Sequence, residues 1–167
     1  SKINDFAKDI RLNVGSVLDT GAEGLTESQV VQIAIASAYA TQNKTVISEI
    51  LEEFSSKISE AEIQAAKSAA TIMAMNNVYY RTIHFTGDDE YMKMPAGLRM
   101  QVIANHGIDK TDFELTSIAV SSIHGCEFCV KSHVKKVTAE GVSKQGVQST
   151  IKIASVINAV AQAIEIE

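Results

Sequence analysis

Between Glu114 and Lys136 the chain reads ELTSIAVSSIHGCEFCVKSHVKK. Its two cysteines, Cys126 and Cys129, stand there as C-x-x-C, with His133 four residues after Cys129 and Glu114 twelve before Cys126. Two thiols, an imidazole and a carboxylate are the parts that thiol–disulfide chemistry needs. One sulfur attacks, the other closes the disulfide, a base takes up the proton, and a carboxylate orients the base. Cysteines so close in sequence cannot staple distant segments, so a bond between them serves redox cycling rather than stability.

Gly125 permits a sharp turn, which predicts Cys126 at the start of a helix and Cys129 in its first turn. Free N–H groups and the positive dipole end at such a place favour a thiolate. The spacings put Cys126, Cys129 and His133 along one helical face. His133 can then act as base to the Cys129 sulfur, and Glu114, on the preceding helix, can orient His133 or relay its proton. Helix-start electrostatics alone favour Cys126 as nucleophile, whereas the neighbouring base favours Cys129.

Other readings compete. Glu114 is also placed to close a capping box with Thr111. His133 also reads as a surface residue beside Lys131 and Lys135. The cysteines could be small core hydrophobes. His124, Cys126, Cys129 and His133 are possible zinc ligands, but ten residues on a turn and one helix make a poor tetrahedral cage. A thioredoxin-like site would want a βαβ context that the pattern lacks. His84, His106 and His124 read as loop or helix-end histidines, and the five methionines as core fillers.

The elements that must position this stretch read as helices. The chain has 167 residues with a single proline, 46% hydrophobic and 21% charged residues, enough for one domain with a sizeable core. A net charge of −5 without a basic run argues against nucleic acid or an anionic membrane as partner. No apolar run approaches a membrane span and the first residues lack an apolar signal core, so the expectation is a soluble, cytoplasmic protein.

Periodicity predicts a short helix over 3–13 with Ile3, Phe6, Ala7 and Ile10 on one face, then a loop from Asn13 to Gly24. Capping boxes at Thr26/Gln29 and Ser59/Glu62 open helices to about Thr41 and Ile83, and a further helix spans about 45–54. After a loop over Gly87–Pro95 come a short helix over 97–104, one from Thr111 to Ile123, one from Cys126 to about Glu140, and a last one over about 143–164. The helices over 59–83 and 143–164 are apolar on most faces, which predicts burial. Residues 69–81 resemble 119–131 at an offset of fifty, a single hint of internal duplication that sets Asn76 and Tyr79 opposite the cysteines.

The pattern E-x11-C-x-x-C-x3-H, here Glu114, Cys126, Cys129 and His133, resembles the active-site motif of the alkyl hydroperoxide reductase D (AhpD) family, within the carboxymuconolactone decarboxylase-like superfamily. FAKDIRLN, MNNVYYR, GLRMQVIAN, FELTSIAVSSIHGC and INAVAQAI resemble segments of that family in matching order, so the resemblance covers nearly the whole of 1–167. It implies an all-α, AhpD-like single domain that assembles as a homotrimer. It also implies a peroxidase that binds no cofactor and is re-reduced by a dihydrolipoyl group on the E2 subunit of a 2-oxoacid dehydrogenase. Such an enzyme reduces hydroperoxides or its partner peroxiredoxin, AhpC. The resemblance places the attacking sulfur, and the sulfenic acid, at Cys129. Cys126 is then the proton donor and resolving thiol, His133 the base and Glu114 the proton relay. One departure stands out: family members carry a second histidine just before the second cysteine, where this chain has Phe128. The alternative is a non-redox carboxymuconolactone decarboxylase-like enzyme acting on a lactone.

Overall fold

The computed structural model describes residues 3–20 and 22–166. The termini of the predicted domain, and Gly21 within the predicted loop, lie outside them. Among the described residues every regular element is helical. They are α1 (Lys8–Gly15), α2 (Glu27–Thr41), α3 (Lys44–Glu53), α4 (Glu60–Thr86), α5 (Glu90–Lys93), α6 (Lys110–Ile123), α7 (Glu127–Ala139) and α8 (Lys144–Glu165). The all-α expectation holds.

Side-chain caps explain most boundaries. Thr26 and Ser59 form the expected capping boxes with Gln29 and Glu62, and Asn43 and Ser143 cap α3 and α8. The Thr111–Glu114 capping box does not form. Asp109 caps α6 instead, its carboxylate accepting from the N–H groups of Thr111 and Asp112, which leaves the Glu114 side chain for another purpose. The predicted loop over 13–24 is also corrected. α1 runs to Gly15 and continues as a π-turn over Ser16–Thr20, seating Val17 in the core. Phe6 is exposed, although Ile3 and Ala7 of its predicted face are buried. The predicted helix over 97–104 reduces to a 3-10 turn at Gln101–Ile103, and the loop before it contains the one-turn α5.

The core is built on α2 and α6, which pack against each other. Every residue from Val30 to Ala38 is buried, as is every residue from Phe113 to Ser121. α4 and α8 flank this pair. Their predicted burial is partial: each lays one face on the central pair, leaving Val78 and Phe85 of α4 and Ile151 of α8 exposed. At the centre, the small residues of α2 (Ala34, Ala36, Ser37, Ala38) permit close backbone approach.

The order α2–α3–α4 recurs as α6–α7–α8. The caps Thr26, Asn43 and Ser59 correspond to Asp109, Cys126 and Ser143, at offsets of 83, 83 and 84 residues. Packing follows the same exchange. α2 contacts α4 and α8 as α6 contacts α8 and α4, and α3 lies on α2 and α8 as α7 lies on α6 and α4. The offset of fifty is therefore the wrong register: residues 69–81 lie within unbroken α4, whereas 119–131 spans the turn between α6 and α7.

Candidate active site

Gly125 ends α6. Its positive φ of 67° is a conformation a side chain disfavours. It lets its own N–H bond to the Ser122 carbonyl and that of Cys126 to the Ser121 carbonyl, a Schellman closure. Cys126 is at once the residue closing α6 and the N-cap of α7, where its Sγ accepts from the Cys129 N–H at 3.3 Å. The turn thus delivers one cysteine to the cap and the other to the first helical turn, as the spacing predicts. The two are joined as a disulfide with Cα atoms 5.3 Å apart. Both are buried, and the Cys129 sulfur lies 3.8 Å from the carbonyl oxygen of Asn76 on α4.

One turn along α7 from Cys129, His133 is also buried, which overturns its surface reading. Its Nδ1–H donates to Glu114 Oε2 at 2.5 Å. Glu114 is buried on α6, and its other oxygen accepts from Lys136 Nζ at 3.1 Å. Burial pushes the Glu114 carboxyl upward. The His133 hydrogen bond and the charges of His133 and Lys136 outweigh that, so it stays below the ordinary glutamate value and is ionised at neutral pH. With Nδ1 occupied by the carboxylate, Nε2 is left as the ring position for proton exchange. Glu114 is an ion-pair partner across α6 and α7 rather than a cap.

α4 supplies the third wall. Asn77 Nδ2 donates to Ser121 Oγ at 2.9 Å in the interior, and Arg81 donates to the His124 carbonyl at the end of α6. Burial first, and the Arg81 charge second, hold the His124 imidazole below its usual pKa. Phe128, where the family histidine would stand, turns out to Tyr80 of α4, ring centroids 5.1 Å apart and 23° from parallel. His84 Nε2 lies 3.6 Å from Glu127, and His106 stacks on Phe113 with ring centroids 4.2 Å apart. Of the methionines only Met73 is fully buried; Met92 and Met94 are exposed.

All four candidates therefore meet at the α6–α7 junction. Residue patterns missed Asn76, Asn77, Arg81 and Lys136. Two adjacent asparagines in an otherwise apolar stretch of α4 were the available signal for the first pair, and Lys136, one turn from His133, for the last. Among the described residues no group of three or more His, Cys, Asp or Glu side chains converges as metal ligands would, and no helix is long and apolar enough to cross a membrane.

The arrangement has relatives. The family described as Carboxymuconolactone decarboxylase matches residues 89–166, which contain the whole α6–α7–α8 unit. Over 167 residues the chain is 46% identical to a protein named alkyl hydroperoxide reductase AhpD from Coxiella burnetii (strain RSA 493 / Nine Mile phase I), covering 99% of this chain and 94% of that one. Proteins of the same name from Rhodopseudomonas palustris (strain BisA53) and Corynebacterium kroppenstedtii are each 49% identical, over 98% of this chain and 90% and 92% of theirs. Identity of this extent, running through both helical units as well as the cysteine turn, places the chain in the AhpD family.

Proposed function

We propose that this chain is an alkyl hydroperoxide reductase that works through the Cys126–Cys129 pair. The observation that carries the reading is a buried disulfide beside a histidine already oriented by an ionised carboxylate. In the reduced protein His133 takes the Cys129 proton, leaving a thiolate, while Glu114 supports the imidazolium. The thiolate attacks the terminal peroxide oxygen and the O–O bond breaks. Cys129 becomes a sulfenic acid, and the departing alkoxide takes the Cys126 proton and leaves as the alcohol. The Cys126 thiolate then attacks the Cys129 sulfur. Hydroxide leaves with the proton held by His133, forming water and the disulfide.

A dithiol must return two electrons and two protons. The reading assigns this to a dihydrolipoyl group on an E2 subunit, itself oxidised to the cyclic disulfide, with AhpC as a disulfide acceptor of the same electrons. The names of the relatives support the hydroperoxide chemistry; the lipoyl donor and AhpC rest on the family resemblance. Assembly as a trimer belongs to the same reading. The exposed Val78 and Phe85 of α4 and the exposed Tyr91, Met92 and Met94 in and just after α5 support association, and light scattering that returned a monomer at micromolar concentration would argue against it. The reading also keeps the protein cytoplasmic, where dithiol reductants are maintained.

The decisive assay couples dihydrolipoamide oxidation to a hydroperoxide, with and without AhpC. Turnover that vanishes in Cys129→Ser and Cys126→Ser supports the proposal. Turnover of a lactone with none of a peroxide would favour the non-redox alternative, whose support is the name of the family matched over 89–166.

A further inference from the structure

The recurrence of α2–α3–α4 as α6–α7–α8 gives the redox site a counterpart in the first unit. At the offsets set by the caps, Glu114 corresponds to Val31, Cys129 to Val46, His133 to Ile50 and Asn76 to Val160. The chemical side chains are replaced by hydrocarbon. All four of these counterparts line one cavity of about 930 Å³ between α1, α2, α3 and α8. This is at the upper end of the volumes that hold a small molecule. Its deep wall is apolar: Val30, Val31, Val46, Phe54 and Ile157 are buried there.

The mouth has the opposite character. Among the described residues five carboxylates, Asp19, Glu23, Glu27, Glu49 and Glu53, stand against two cations, Arg11 and Lys57. Both cations are already engaged. Lys57 Nζ binds Glu27 at 2.6 Å, and Arg11 binds Asp5 and the Ile3 carbonyl. Among the described residues Asp19, Glu23 and Glu53 have no ion pair within 4.0 Å. A hydrocarbon wall beneath a net negative rim fits a molecule with an apolar chain and a cationic head, and works against a fatty carboxylate.

We propose that this cavity is a second, non-redox binding site for a single-chain amphiphilic cation. The chain lies along Val31, Val46 and Ile50, and the head rests among Asp19, Glu23 and Glu53. Isothermal titration of the assembled wild-type protein with decyltrimethylammonium, below its micelle concentration, is expected to show one saturable site per chain. The octyl homologue should bind about fifteen-fold more weakly, from two fewer buried methylenes. Decanoate should bind at least roughly ten-fold more weakly at low ionic strength, a gap that salt narrows. Ile50→Trp fills the cavity and should remove the site without changing hydroperoxide turnover. The exposed pair Glu23→Lys and Glu53→Lys, which leaves the core intact, should reverse the preference between the two heads. The proposal is overturned by absence of saturable binding to the wild type, as when another copy of the chain covers the mouth. It is overturned equally by head groups bound alike, or by undiminished binding to an Ile50→Trp protein with native circular dichroism.

Discussion

Glu114 and His133 stand nineteen residues apart in sequence and 2.5 Å apart in space, carboxylate to imidazole, on two helices joined through the Gly125 turn. The pair is buried, its outer oxygen is held by Lys136, and the disulfide lies one turn away. That arrangement separates the structural and chemical duties of Glu114 and makes both measurable.

Glu114→Gln removes the charge and keeps the shape. Because Asp109 caps α6, the helix does not depend on residue 114. Hydroperoxide turnover is expected to fall by roughly a hundred-fold, the low end of the range associated with a positioned acid–base group. Helix content by circular dichroism should be unchanged. Wild-type turnover in this variant would mean that His133 needs no ionised partner.

The same pair makes stability depend on acid. The folded Glu114 carboxyl titrates below its ordinary 4.5, through the balance of burial against His133 and Lys136 described above. A depressed folded value means that the unfolded chain binds the proton first as pH falls. The contribution of the charge is therefore fully present above about pH 5 and is lost as pH drops through the folded value. Glu62, lowered by its hydrogen bonds to Ser59, adds the same sign in wild type and variant alike. The difference in urea midpoint between oxidised wild type and oxidised Glu114→Gln should shrink as pH falls from 5 towards 3. A difference growing in acid would contradict the assignment.

Labelling separates the two sulfurs. Cys126→Ser should leave one sulfenic acid, trapped at Cys129 by a dimedone-type reagent and located by mass spectrometry. Cys129→Ser should leave none at Cys126 under the same brief exposure. Both cysteines are buried, so solvent does not screen the helix dipole from Cys126, and the preference for Cys129 rests on His133 one turn away. The opposite labelling pattern would move the base, as well as the nucleophile, from its proposed role.

Away from the site, α8 meets the Gly24 turn backbone to backbone. A Cβ at Gly146 would stand 2.6 Å from the Gly24 carbonyl oxygen, and one at Gly24, where φ is 81°, 2.5 Å from the Gly146 nitrogen. Gly146→Ala should cost about 1–3 kcal/mol of unfolding free energy by overpacking, despite the higher helix propensity of alanine. A denaturant midpoint at or above that of wild type would show that the turn yields.

Local chemistry was readable from residues alone. The Thr26 and Ser59 capping boxes, the turn at Gly125 and the face shared by Cys126, Cys129 and His133 depend on contacts within three or four positions, so spacing determines them. The residues themselves left Glu114 either a cap or a relay to His133. Asp109, a local cap of α6, takes the capping role, and only the packing of α6 on α7 brings Glu114 to His133 and Lys136. Tertiary structure also put α2 and α6 at the centre and the longer α4 and α8 at its flanks. Close packing rewards small side chains on two facing helices, and hydrophobicity counted along one helix does not record that. The true repeat, at 83 residues rather than fifty, is carried by cap positions and packing partners whose side chains differ. It became visible only when Cys126 and Asn43 were seen to open corresponding helices.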